Sequence, residues 1–449
     1  VTVSETERPW RIAVVGAGPS GFYAVQALQA AKLPMTVDLV DRLPTPFGLV
    51  RAGVAPDHQN IKAVVRAYDR IAEQPGFRFR GGVSVGADVT IDELLASYDQ
   101  VVLAVGCEQA NPLGIPGEEL VGSHSATAFV GWYNGHPDHA DHDFVLDAQA
   151  AIVVGVGNVS MDVTRVLVGD RDALARTDIA VHALEVLRAS TVSDVYVLGR
   201  RGAAQVAFSP AELQELDHLP GVDLRVRPED VTLDPDSAAW AAAARDKALD
   251  DNLRLLRAIA ERGPREAERR IHLWLNTSPV ALEGEGRVER MIVARNRVEG
   301  DGAGGFRAVD TGERATIEAG LVFRAVGYRG RPLPGVPFDQ KTGTIPNAGG
   351  RVADRLYCVG WAKRGPKGLI GTNRADSKDT VQRMLEDLAG LERVPRAALP
   401  RIERATDWSD WTHLDEHERA AGTSAGKLRE KVIRIPNMHE VIASRPPKP

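Results

Sequence analysis

Only two cysteines, Cys107 and Cys358, occur in the 449 residues of the sequence. Neither belongs to a CxxC or CxxxxC pair and each ends an apolar run. They read as small buried hydrophobes of a reducing, cytoplasmic compartment. Their scarcity excludes a paired-thiol redox centre and a cysteine-held iron–sulfur cluster, and no metal site is expected. No uninterrupted apolar run approaches the ~18 residues that span a bilayer, so no integral membrane segment is expected. The first residues, VTVSETERPW, lack the basic-then-apolar layout of a secretory signal. An excess of basic charge is also missing: 61 acidic residues stand against 55 Lys and Arg. That balance points away from nucleic acid and confines any basic contact surface to a local patch.

What the chain does have is length and repetition. With 43% apolar residues over 449 positions, it can bury more than one core. Ile12–Val15 is an apolar run feeding Gly16-Ala17-Gly18-Pro19-Ser20-Gly21, and the helix-like FYAVQALQAA follows. A second strand, Val37–Asp41, then ends in an acid 20 positions after Gly21. This is the opening of a dinucleotide fold, in which glycines let backbone approach a pyrophosphate and a helix N-terminus faces it. Val101–Gly106, VVLAVG, is a further buried strand.

The pattern restarts at Ala151–Val154, with Gly155-Val156-Gly157-Asn158-Val159-Ser160 as the turn and MDVTRVLV as the helix. Val195–Leu198 is the next strand and ends at Gly199-Arg200-Arg201, while Leu321–Gly327 echoes VVLAVG. The halves are related, the second being stretched by insertions. One insertion, Ser237–Arg262, is rich in Ala, Leu and Arg and stops at Gly263-Pro264. The Pro- and Gly-rich stretch 328–350 reads as a return crossing between domains. It leads to a strand at Leu356–Val359 and a tail of scattered helical signals closing in a frayed RPPKP.

The two cradles differ at the ribose. Asp41 takes a 2′-hydroxyl and repels a 2′-phosphate, which assigns FAD or NAD to the first. The second has no acid there. Arg200 and Arg201 bracket a 2′-phosphate instead, although they lie about twice the usual distance from their glycines. One site then holds a redox ring and the other holds NADPH, which delivers a hydride to it.

At this point the sequence resembles the NADPH–ferredoxin reductases of the adrenodoxin reductase type, over nearly its whole length. The resemblance is carried by TPFGLVRAGVAPDH (Thr45–His58), FVGWYNGHP (Phe129–Pro137), GNVSMDV (Gly157–Val163), GRRG with QVAF (Gly199–Phe208), AVGYRG (Ala325–Gly330) and GWAKRGPKGLIGT (Gly360–Thr372). It implies an α/β fold of two Rossmann-like dinucleotide-binding domains, the NADP domain (111–332) inserted into a discontinuous FAD domain (1–110 and 333–449). The implied activity is NADPH:ferredoxin oxidoreduction through tightly bound FAD.

Carried over position by position, Gly16, Ala17, Gly18, Gly21, Asp41, Leu49 and Val83 would contact FAD. Trp361, Gly368, Leu369 and Ile370 would do so from the late loop. Gly157, Asn158, Val159 and Ser160 would cradle NADP, Arg200 and Arg201 its 2′-phosphate, and Glu212 a further part. Gly368 would lie where nicotinamide meets flavin. His58, Asp162 and Glu215 match the titratable residues near the isoalloxazine. Read from the residues alone, His58 is equally a structural histidine, Asp162 a capping acid and Glu215 a solvated one.

Four positions depart from the family pattern: Asp41 for Glu, Ser160 for Ala, Lys367 for Thr, and Asn111 where relatives carry Arg. The acceptor expected is a ferredoxin-like iron–sulfur protein. Alternatives are a diaphorase with another acceptor, an electron-input subunit of a larger iron–sulfur enzyme, a disulfide reductase and a non-enzymatic NADP sensor. Missing cysteine motifs speak against the subunit and the disulfide reductase, and the late loop against the sensor. Arg254, Arg257, Arg262, Arg265, Arg269 and Arg270 form a candidate docking cluster. Interleaved Glu261, Glu266 and Glu268 make a salt-bridged helix face the default reading.

Overall fold

The apolar runs before each glycine turn are buried parallel strands, which is why they show no apolar–polar alternation. In the computed structural model, which describes residues 8–302, 305–368 and 370–445, the chain divides into two units. Unit 1 comprises 8–109, 134–140 and 328–445, and unit 2 comprises 110–133 and 141–327. The chain therefore leaves its first unit, builds a second and returns, at points close to the expected 110/111 and 332/333. Segment 134–140, expected in the inserted domain, belongs instead to unit 1. Asn134 is fully buried there, accepting hydrogen bonds from Lys62 Nζ (3.2 Å) and Lys431 Nζ (2.9 Å). Asp138 pairs with Arg42 at 2.7 Å.

Unit 1 is built on a six-stranded sheet in the order Arg351–Ala353, Leu356–Cys358, Gln100–Leu103, Trp10–Val15, Met35–Val40, Phe77–Arg80. All pairings are parallel except that of the Arg351–Ala353 edge. Helix Pro19–Ala30 begins with Pro19 in its first turn, where the missing N–H costs nothing. It packs beside helix Ile370–Leu388. The tail beyond Arg393 is more ordered than its scattered helical signals suggest. Asp407 and Asp410 form a reciprocal capping box that starts helix Trp408–Ser424. Trp408 and Trp411 of that helix stand edge-on to Phe47, 6.1 and 5.5 Å between ring centres. The Pro-rich end 446–449 lies outside the described residues.

Unit 2 repeats the plan with six parallel strands in the order Ser123–Ser125, Leu321–Arg324, Ala150–Val154, Asp194–Leu198, Arg269–Trp274, Val222–Val226. Beside it lies an antiparallel sheet, Thr277–Glu283, Arg290–Gly300 and Phe306–Glu318. Its Leu282, Met291, Val293 and Ile317 share a core with Ile152, Val154 and Val322. The Ala- and Leu-rich insertion is two helices, Pro235–Ala244 and Lys247–Arg262. Arg245 adopts a left-handed conformation (φ 49°) between them, and the Asp246 carboxylate caps the second helix by accepting from Ala248 N–H at 2.8 Å. Gly263, with φ 72°, ends it as expected.

Candidate functional site: two matched cradles

The two glycine turns are built alike. Gly16 donates its N–H to Val40 O (2.7 Å), and Gly155 donates to Leu198 O (2.9 Å), so each turn is tied to the following strand. Both glycines have positive φ, 109° and 133°. A Cβ on Gly16 would sit 2.4 Å from Ala104 O, and one on Gly155 would sit 2.3 Å from Ala325 O. Those alanines belong to the echoing segments VVLAVG and LVFRAVG, so the sequence echo is the far wall of each cradle. Gly21 approaches Gly16 O so closely that a Cβ would lie 2.0 Å away. At the matching place Ser160 is fully buried with its Oγ beside Gly155. The middle glycines, Gly18 and Gly157, are different: a Cβ there would meet no protein atom within 4 Å. No protein packing requires glycine at these two places, and the mouth of each cradle is open. Helices Pro19–Ala30 and Asn158–Val168 start at these mouths with their first N–H groups free of helical partners.

In unit 1 the Asp41 carboxylate accepts from Ala17 N–H (2.7 Å) and Leu43 N–H (2.9 Å), which fixes it against the cradle. Burial raises this carboxyl above its ordinary range, against the lowering influence of the Leu43 and Ala17 N–H groups. Each oxygen keeps a lone pair for a ribose hydroxyl. Leu49 is exposed at the start of helix Leu49–Ala52, and Val83 is buried with its N–H on Asp41 O at 2.8 Å. His58 is buried at the N-cap position of the short helix Gln59–Lys62, its side chain making no capping hydrogen bond.

The late loop crosses the start of the first-cradle helix. A Cβ on Gly360 (φ 69°) would lie 2.0 Å from Ser20 Oγ, and Gly360 N–H donates to buried Asp376 at 2.6 Å. Trp361 follows, its buried Nε1–H without a partner among the described residues. Gly368 has φ 84°, Ile370 opens the next helix, and Leu369 lies outside the described residues. An open glycine mouth, a carboxylate at ribose position and an unpartnered indole N–H fit the flavin dinucleotide expected here.

In unit 2 Asn158 Oδ1 accepts from Ser209 N–H (2.9 Å), joining the cradle turn to helix Pro210–Asp217. Val159 is half-buried in that turn. The structure gathers three of the expected acids around one residue that sequence reasoning missed. Buried Arg165 lies 2.6 Å from Asp162, 3.1 Å from Glu212 and 3.4 Å from Glu215. Its position three residues after Asp162 on one helix was the available signal. His58 and Gly368 belong to unit 1, and these acids to unit 2.

Arg200 is exposed and Arg201 half-buried at the end of strand Asp194–Leu198. Among the described residues neither guanidinium has a hydrogen-bond or ion-pair partner. Burial, and then the charge of Arg200, push the Arg201 guanidinium below its ordinary range. Two adjacent cations without a carboxylate suit a dianion. Asn111 is tied to the Gly327 turn, its N–H on Gly327 O at 3.1 Å, and offers no charge.

The arginines of the candidate docking cluster are largely engaged within unit 2. Arg262 and Arg265 pair with Asp217 (2.7 and 3.1 Å), Arg254 with Asp251 (3.1 Å) and Arg270 with Asp194 (2.6 Å). Arg269 donates to Val168 O at 2.8 Å. Both cysteines are free and buried, and burial pushes each thiol up to about 12. Thiols so hard to ionise are poor nucleophiles.

A family profile described as pyridine nucleotide-disulphide oxidoreductase matches residues 10–194. The NADPH-ferredoxin reductase FprA of Mycobacterium tuberculosis is 44% identical to this chain, over 95% of the chain and 98% of that protein. Human mitochondrial NADPH:adrenodoxin oxidoreductase is 42% identical, over 96% of the chain and 91% of that protein. Among solved structures, M. tuberculosis FprA in complex with NADPH superposes with a TM-score of 0.93 at 44% identity, covering 97% of this chain and all of that one. No helix of the described residues is long and apolar enough to cross a membrane.

Proposed function

The chain belongs to the NADPH–ferredoxin reductases of the adrenodoxin reductase type, and from that premise we propose that it moves electrons from NADPH, through FAD, to a ferredoxin-like iron–sulfur protein. The observation that carries this reading is the pair of matched cradles with opposite ribose partners, Asp41 in unit 1 and Arg200 with Arg201 in unit 2. When bound, FAD supplies the exchange between a two-electron donor and a one-electron acceptor.

Gly16, Ala17, Gly18 and Gly21 admit the flavin's pyrophosphate, and Asp41 orients its ribose. Leu49, Val83, Trp361, Gly368, Leu369 and Ile370 would make further contacts to the FAD. In unit 2, Gly157–Ser160 admit the NADPH pyrophosphate, Arg200 and Arg201 take the 2′-phosphate, and Glu212 adds a further contact. Arg165 orients Glu212, Asp162 and Glu215 together. His58, Asp162 and Glu215 are the groups that hold or move protons as electrons pass. Unpaired, buried thiols suit a reducing cytoplasm.

The test is anaerobic addition of NADPH to the purified yellow protein, then of candidate ferredoxins with cytochrome c as reporter. Ferredoxin-dependent cytochrome reduction is expected. Flavin reduction that no iron–sulfur protein can draw on would favour the diaphorase instead.

A further inference from the structure

The segment from Leu49 to Lys62 carries two residues assigned to the flavin, Leu49 and His58, yet it consists of two four-residue helices joined by an irregular stretch, 53–58. One end is held by a buried ion pair to the C-terminal region, where no motif pointed, and the other by a buried hydrogen bond from a lysine to Asn134. At the first end, Arg51 meets Glu418 in a bidentate pair, 2.8 and 2.6 Å. The Glu418 side chain is fully buried and that of Arg51 is 9% exposed. Glu418 also accepts from Arg429 (2.7 Å) and from Val432 N–H (2.9 Å). The Arg51 guanidinium lies over the Trp411 ring, 5.3 Å from its centre. Burial alone would raise the Glu418 carboxyl, but Arg51 and Arg429 outweigh it and hold the group below its ordinary range.

At the other end, Lys62 Nζ donates to Asn134 Oδ1 at 3.2 Å. Lys431 joins the ends, donating to Arg51 O (3.1 Å) and Asn134 O (2.9 Å). Lys62, Lys431 and Asn134 are all buried. A buried, bidentate, charge-assisted pair has one low-energy arrangement, so it fixes position where an apolar contact would allow sliding.

We propose that Glu418 and Lys431 are positioning residues for the flavin: acting through Arg51 and Asn134, they clamp both ends of the 49–62 segment and so set Leu49 and His58 against the ring. The proposal rests on the assignment of FAD to unit 1. It gives the C-terminal helix Trp408–Ser424 a part in cofactor retention in addition to its part in the core.

The test compares Glu418→Gln and Lys431→Met with Asp99→Asn. Asp99 is an equally buried carboxylate that binds Arg8, Arg396 and Arg11 N–H and touches nothing in the segment. Each holoprotein is heated while far-ultraviolet dichroism reports unfolding and emission of released FAD reports cofactor loss. Free FAD is also measured after dilution at room temperature. In the parent the two transitions are expected to coincide.

Glu418→Gln is expected to release FAD below the unfolding transition and to raise its dissociation constant by about tenfold or more. Asp99→Asn is expected to shift both transitions together, with FAD affinity within about twofold of the parent. Should Glu418→Gln fail to fold, Lys431→Met strands no guanidinium and is expected to separate the transitions in the same sense, while Lys431→Arg restores them. Coincident transitions in a folded Glu418→Gln or Lys431→Met protein, or equal loosening by Asp99→Asn, overturn the proposal. A parent protein that carries no FAD overturns the underlying assignment instead.

Discussion

Replacing both Arg200 and Arg201 by Ala should cost NADPH its advantage over NADH and leave the protein as stable as before. Neither guanidinium has a partner in the described structure, and each lies within reach of the other's charge. Removing them therefore strands no buried anion. A hydrogen bond to a charged group contributes about 1.5–3 kcal/mol. Half-buried Arg201 should stand near the upper end, and exposed Arg200 near or below the lower end because solvent screens it. Together the pair is worth roughly 3–4 kcal/mol, or about two to three orders of magnitude in NADPH affinity. NADH lacks the 2′-phosphate and should change less than about threefold, well under 1 kcal/mol. The assay is kcat/KM for each nucleotide with an artificial acceptor, alongside the dissociation constant of NADP+ from the flavin difference spectrum. Arg201→Ala alone should lose more than Arg200→Ala alone. Equal losses for both nucleotides, or a fall in melting temperature matching the loss of affinity, would refute the phosphate assignment.

Gly155→Ala places a Cβ 2.3 Å from Ala325 O at positive φ, so it should lower the melting temperature, whereas Gly157→Ala meets no protein atom within 4 Å. The latter should leave melting unchanged while weakening NADPH binding, measured by calorimetry and nucleotide titration. His124 is held at about 4 by burial, with Arg324 and His142 adding to the effect. Below its ordinary value the unfolded chain takes up a proton that the folded one refuses, so stability should fall between about pH 6.5 and 4, by up to about 3 kcal/mol. His124→Gln should remove this share of the slope in denaturant titrations and leave that of His136, which burial also holds near 4. Alkylating reagents or Cys107→Ala with Cys358→Ala should leave NADPH-driven electron transfer within about twofold, since both thiols are buried and raised to about 12.

The strand–turn–helix units were legible because their information is local. Apolar run, glycine conformation and helix start lie within 20 residues, and the two copies check each other. Even the echo of VVLAVG in LVFRAVG acquired a meaning, since Ala104 O and Ala325 O are what the first glycines touch. The parts that were not legible depend on residues far apart in the chain. Arg165 meets Glu212 47 positions away, and Arg51 meets Glu418 across 367. No periodicity announces such a pair. The antiparallel sheet 277–318 was missed for a related reason: strand Phe306–Glu318 has a long exposed stretch, so its apolar face is visible only once pairing with Arg290–Gly300 sets the register. The break at Arg245 was hidden by good helix formers on both sides, with Asp246 as its one local sign. Segment 134–140 carries part of a family motif, yet its return to unit 1 shows only in the distant partners of Asn134 and Asp138.

The most direct measurement is an anaerobic titration of the purified protein with NADPH, following the visible flavin absorbance. The account predicts a yellow protein whose flavin bleaches at about one NADPH per bound FAD, with NADH far less effective at the same concentration. A colourless chain that takes up no FAD on reconstitution, or a flavin that ignores NADPH, would contradict it.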